Sequence, residues 1–135
     1  MKSKKFFPLF FIIIILFCGI IWWFAPASLM KQINPNEISS IEVSGGNSGG
    51  SFSITDSDTI TSIVTNIQNA PLKKSKISLM YSGALFDLSF IDHQGNTIYT
   101  LIVNDTSTIR KDPFFYHDDS GSICFNLLTT LETAS

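Results

Sequence analysis

The chain has 135 residues, a formal net charge of −2 and a pI near 5.5. That length accommodates one ordinary domain and a short extension. With 44% hydrophobic residues, 15% charged residues and two cysteines, the composition excludes a disordered polyelectrolyte, a collagen-like repeat, a disulfide-dense miniprotein and a strongly basic nucleic-acid binder.

Phe6 to Ala25 reads FFPLFFIIIILFCGIIWWFA and carries no charge. A helix of that length rises ~30 Å, the thickness of a bilayer's hydrocarbon core. Pro8 falls in the first turn, where its missing N–H does no harm. Trp22 and Trp23 stand at the far end, where indoles favour the headgroup interface. Lys2, Lys4 and Lys5 precede the run and only Lys31 closely follows it, so the expected orientation is N-in, C-out. The expected organisation is a cytoplasmic terminus (1–5), a transmembrane signal anchor (6–25), a juxtamembrane linker (26–36) closed by Pro35, and an extracytoplasmic domain (37–135).

Ala25-Pro26-Ala27 has the form of a signal-peptidase site, but the apolar run exceeds the about 7–15 residues of a signal peptide. An uncleaved anchor is therefore expected. Cys18-Gly19 evokes a lipidation site. Phe17 stands where a small residue is needed, and the apolar run continues past it. From Lys31 onward six basic residues face eleven acidic ones, a net charge of −5. Cys124 is the only cysteine beyond the apolar run, so the domain must hold by its core alone. An exported domain without disulfides suits a Gram-positive bacterium.

Ile38 to Val43 reads as a strand with Ile41 and Val43 on one face, followed by the turn Gly45–Gly50 and an alternating strand Ser51 to Thr55. The glycine run lacks the Lys-Ser/Thr and the immediate helix of a phosphate loop. Ile60, Ile63, Val64 and Ile67 form one helical stripe, with Asp56, Ser57 and Asp58 as N-cap candidates and Asn69 and Pro71 at its close. This helix should lie across a sheet. Leu72 to Ile77 is expected at a sheet edge, where Lys73, Lys74 and Lys76 discourage pairing between chains; an anionic-ligand patch is the sharper alternative.

Leu85 to Ile91 alternates with Phe86, Leu88 and Phe90 inward. Asp92 to Asn96 turns, and Thr97 to Val103 returns. Ser107–Lys111 and Phe114–His117 are short strands around Asp112-Pro113, and Ser122–Thr133 is a last helix with Ile123, Leu127, Leu128 and Leu131 on one face, capped by Ser120 or Ser122. The six phenylalanines at 52, 86, 90, 114, 115 and 125 supply core volume. The order ββα, several strands, then α implies an α+β fold with an antiparallel sheet and helices packed on one face.

Chemistry-bearing residues are sparse. His93 sits in a turn. His117, Asp118 and Asp119 offer nitrogen and oxygen donors, but contiguous side chains diverge and no second cluster completes a shell. These residues are expected to form a solvated turn before the last helix, with the carboxylates complementing its positive end. Gly46–Gly50 fits the bare G-x-S-x-G spacing and Ser28–Lys31 the bare S-x-x-K spacing, but neither has the strand-to-helix elbow or the partner motifs that this chemistry needs. Tyr99 and Tyr116 read as half-buried sheet residues, and Asn104-Asp105-Thr106 is a sequon too short to count. No catalytic, cofactor-binding or metal-binding residue is assigned.

Tyr81-Ser82-Gly83, Asp92 to Asn96, Ile102-Val103-Asn104 and Thr108 to Tyr116 together resemble a group of small membrane-anchored proteins of Gram-positive bacteria that carry a domain of unknown function. Similar domains occur beside sensor metallopeptidases of the BlaR/MecR type. The resemblance covers about residues 38–131 and implies no site residue. The H-E-x-x-H zinc motif of those peptidases is absent, so peptidase activity is not implied. The expected function is a membrane-tethered extracytoplasmic binding or accessory module acting through an envelope protein partner, not an enzyme. The alternatives are an envelope hydrolase and a structural or immunity-type protein.

Overall fold

The computed structural model describes residues 6–135. Lys2, Lys4 and Lys5, which carry the expected orientation, lie outside the described residues, as does the whole segment 1–5. Helix α1 (Phe6–Phe24) is long and apolar enough to cross a membrane, and none of its Phe7–Phe24 span is buried in the protein. An apolar helix that finds no protein partner needs another apolar phase.

The rest of the chain builds one eight-stranded sheet. Its strands are β1 (Pro26–Ala27), β2 (Ile38–Gly45), β3 (Gly50–Ile54), β4 (Leu72–Ile77), β5 (Phe86–Asp92), β6 (Thr97–Val103), β7 (Thr108–Lys111) and β8 (Phe114–His117). Helix α2 (Ser57–Asn69) separates β3 from β4, and α3 (Phe125–Ala134) follows β8. The spatial order is β1-β4-β8-β7-β6-β5-β2-β3, with every neighbouring pair antiparallel.

Register places the apolar set on one face. Ile41 lies opposite Phe90, Val43 opposite Leu88, Leu88 opposite Leu101, and Val103 opposite both Phe86 and Ile109. All of these side chains are buried, and a one-residue slip would turn each strand's apolar set to the other face. Ile60, Ile63, Val64 and Ile67 of α2 and Leu128 of α3 belong to the same core cluster. Three isoleucines and a valine are indifferent helix formers, so burial of this stripe stabilises α2. Its N-terminus is capped by Asp56, whose carboxylate accepts from Thr59 N at 2.8 Å and Thr59 Oγ1 at 2.6 Å.

Three expectations change. Residues 26–36 are not a free linker. Pro26 and Ala27 pair with Lys73 and Leu72, Leu29 and Met30 are buried, and Gln68 Nε2 donates to the carbonyls of Met30 and Ile33, each at 2.8 Å. Strand β4 is not the outermost strand, because β1 flanks it at Leu72 and Lys73; the sheet ends on β1 and β3. Finally, α3 starts at Phe125 rather than Ser122, without a side-chain cap. The hydroxyls of Ser120 and Ser122 are already committed to Asp118, and the N–H of Ile123 donates to Thr106 O at 3.1 Å.

Candidate functional site

The residues that alternate with the core positions of β2, β3, β5, β6 and β7 form an uncovered polar face. Two rows cross it. One runs Ser53, Glu42, Ser89, Thr100, and the other Ser51, Ser44, Asp87, Ile102, Arg110. Their side chains are half-buried or exposed, and the positions between them are buried except Phe52, which is half-buried. A hollow of ~330 Å³ opens among Asp87, Ser89, Thr100, Arg110 and Asp112, and a second of ~430 Å³ among Glu42, Ser44, Ser51, Ser53 and Ser89. Small hydroxyl side chains keep this surface low, so a partner's groups can approach the strands. Glu42 and Asp87 give it acceptor character.

One edge of the face is fixed by a polar knot. Arg110 Nε donates to Asp112 Oδ1 at 2.8 Å and Nη2 to Oδ2 at 3.2 Å, a bidentate pair that holds both groups in plane. Arg110 Nη1 reaches Gly83 O at 3.5 Å, and buried Ser78 donates its hydroxyl hydrogen to Asp112 Oδ1. The guanidinium, then the Ser78 hydroxyl, hold the Asp112 carboxyl below its ordinary range, and Asp112 in turn raises Arg110. This knot fastens the loop between β4 and β5 to the β7–β8 turn. Arg110 is thereby spent on structure, and the other charges on this face are Glu42, Asp87 and Lys111, whose Nζ donates to Thr100 O at 2.6 Å.

The three lysines of β4 do not form one patch. Lys73 pairs with Asp119 at 3.1 Å. Lys74 lies 4.0 Å from the centre of the Trp22 ring and donates to Trp22 O at 3.2 Å, a cation at the negative end of α1. Lys76 lies 4.8 Å from the Tyr81 ring and 4.9 Å from that of Phe115. A bulge between Lys74 and Lys76 breaks the alternation.

The expected solvated turn of diverging side chains is corrected at 117–119: His117 and Asp119 come together, and Asp118 alone turns inward. Asp118 is buried and accepts from Ser120 N at 2.8 Å, Ser122 N at 3.0 Å and both serine hydroxyls. Burial opposes its charge, but these four donors prevail and hold the carboxyl well below its usual range. Asp119 is exposed between Lys73 and His117, 3.4 Å from the latter. His93 Nε2 lies 3.0 Å from Asn36 O, and Asp92 organises its turn through Gln94 N at 2.9 Å and Asn96 N at 2.8 Å. Burial raises the phenols of Tyr99 and Tyr116.

The glycine turn does hold an anion, and it is the chain's own. Glu132 accepts from Ser48 N at 2.8 Å, Ser48 Oγ at 2.6 Å and Asn47 N at 3.3 Å, which lowers its carboxyl, the Ser48 hydroxyl first. Gly46, at φ +73°, is required there because a Cβ would collide with that carboxylate and with the Phe86 ring.

The uncovered face escaped motif reading, since serine, threonine and isolated carboxylates form no motif. Its signal was the period-two complement of the core pattern. In comparison with known proteins, no family model matches the chain, and neither does any curated protein or solved structure.

Proposed function

We propose that this protein is a membrane-tethered extracytoplasmic binding module, held N-in, C-out by an uncleaved α1, whose uncovered sheet face receives an envelope protein partner. The observation that carries the reading is the paired polar rows on β2, β3, β5, β6 and β7, flanking two adjoining hollows. Glu42 and Asp87 suit a partner surface bearing Lys, Arg or hydroxyl groups. The apolar, unburied α1 supports the tether, and the resemblance to membrane-anchored Gram-positive proteins belongs to the same reading. In its finer form the fold presents both α2 and α3 behind the sheet, leaving the opposite face free for binding.

The test is site-specific photo-crosslinking in intact cells from Ser89 on the open face, with Asp58 on α2 as the control position. The reading expects a discrete protein adduct from Ser89 alone, lost when Asp87→Arg reverses the charge. Equal adducts from both positions, or an adduct indifferent to Asp87→Arg, would contradict it.

A further inference from the structure

We propose that the turn between β4 and β5, tipped by Leu79, Met80 and Tyr81, is a second membrane contact that dips into the same bilayer that α1 spans. The inference rests on α1 being a retained anchor. Outside α1, the exposed large apolar and aromatic side chains among the described residues are Ile77, Leu79, Met80 and Tyr81, one run of chain, with Met80 fully exposed. Isolated exposed apolar residues need no explanation; a contiguous run at a loop tip does.

Topology says where this tip points. The chain leaves α1 at Phe24 and enters β1 at Pro26. Strand β1 is antiparallel to β4, so β4 runs back toward the end from which α1 arrives. Trp22 and Trp23, the interfacial residues of α1, both pack edge-on against Phe114 with ring centres 5.8 Å apart. Phe114 is the register partner of Ile77, the last residue of β4. The turn therefore begins at the level of the tryptophan belt, Leu79 and Met80 follow beyond Ile77, and Tyr81 returns to pack its ring edge-on against Phe115, 5.2 Å away.

Local structure holds the tip outward. Ser78 N donates to Pro113 O at 2.8 Å, Tyr81 N donates to Ser78 O at 3.1 Å, and Met80 takes a left-handed backbone at φ +66°. That conformation is disfavoured for methionine, and strain of this kind collects at functional segments. Chemistry matches a lipid surface. Leu79 and Met80 are apolar, Tyr81 has an apolar body with a polar tip, and exposed Lys76 lies 4.8 Å from the Tyr81 ring, a cation within reach of anionic headgroups.

The experiment uses the full chain with Cys18→Ser and Cys124→Ser, reconstituted in phosphatidylethanolamine–phosphatidylglycerol vesicles. Single cysteines at Met80, Ile15 and Asp58 carry an environment-sensitive fluorophore, and lipid-borne quenchers sit at two depths. Met80→Cys is expected to be quenched by the shallow quencher at least about twofold more than Asp58→Cys, and Ile15→Cys by the deep one. If Ile15→Cys is quenched while Met80→Cys behaves like Asp58→Cys, the anchor stands and this contact is overturned. If Ile15→Cys is not quenched, the anchor reading fails and takes the inference with it. A Met80 label shielded from water, untouched by lipid quenchers and released on diluting the protein in lipid would assign the tip to a second copy of the chain and equally overturn it.

Discussion

Asp118 carries more of the local structure than its place beside a histidine suggests. Its four donors all belong to Ser120 and Ser122, so it shapes the segment from which α3 departs. Because its folded-state carboxyl lies below the ordinary value of 3.8, the folded chain binds fewer protons than the unfolded one in that range. Its contribution is thus complete above about pH 4–5 and declines as pH falls through and below that window. Asp118→Ala is expected to cost about 2–4 kcal/mol at pH 7 and to flatten the acid limb of stability. Urea titrations of both proteins between pH 3 and pH 7 check this; an unchanged acid limb would show that another carboxylate governs it. Sequence pattern located this acidic turn before α3 but not its mechanism, since burial of one of two adjacent aspartates is a tertiary property. Cys124 is similarly plain. It is buried, and burial pushes its thiol up to about 11. At pH 8 a maleimide is expected to leave it unmodified in the folded protein and to label it in urea; mass spectrometry reads the difference.

Among the elements, those with a strong period were legible in advance. The stripe of α2 and the alternation of β5 named Ile60, Ile63, Val64, Ile67, Phe86, Leu88 and Phe90, and the structure buries all seven. Ile63→Ala and Phe90→Ala should each cost about 2–5 kcal/mol, whereas Met80→Ala, at a fully exposed position, should stay within about 0.5 kcal/mol. Equilibrium unfolding distinguishes them, and comparable losses at all three positions would mean the core is misplaced. Residues 26–33 were illegible because they have no period. Pro26 and Ala27 pair for two residues only, and Met30 reaches the core through a left-handed backbone at φ +60°. A chain starting at Lys31 therefore lacks Leu29, Met30 and β1, and should be less stable than one starting at Ala25 by about 3–6 kcal/mol. Equal urea midpoints would show that this segment contributes nothing. The placement of β4 between β1 and β8 was equally hidden, since partners so far apart in the chain leave no local trace.

At the scale of the whole molecule, the domain is joined to its apolar helix without slack. One residue, Ala25, separates α1 from β1, Lys74 bridges β4 to the end of α1, and Trp22 and Trp23 rest on Phe114. Such a junction fixes which end of the sheet lies nearest α1. It also makes cleavage after Ala27 costly, because that cut removes β1 along with α1. The apolar segment was plain from composition. The junction was not, because it depends on where the sheet places Phe114 and Lys74. Retention of α1 is the claim on which the tether, the orientation and the loop contact all depend. Intact mass spectrometry of the protein purified from its native membrane measures it directly. A species of about 15.0 kDa that includes residues 6–27 is the predicted result, and a mature chain beginning at Ser28 would contradict the account.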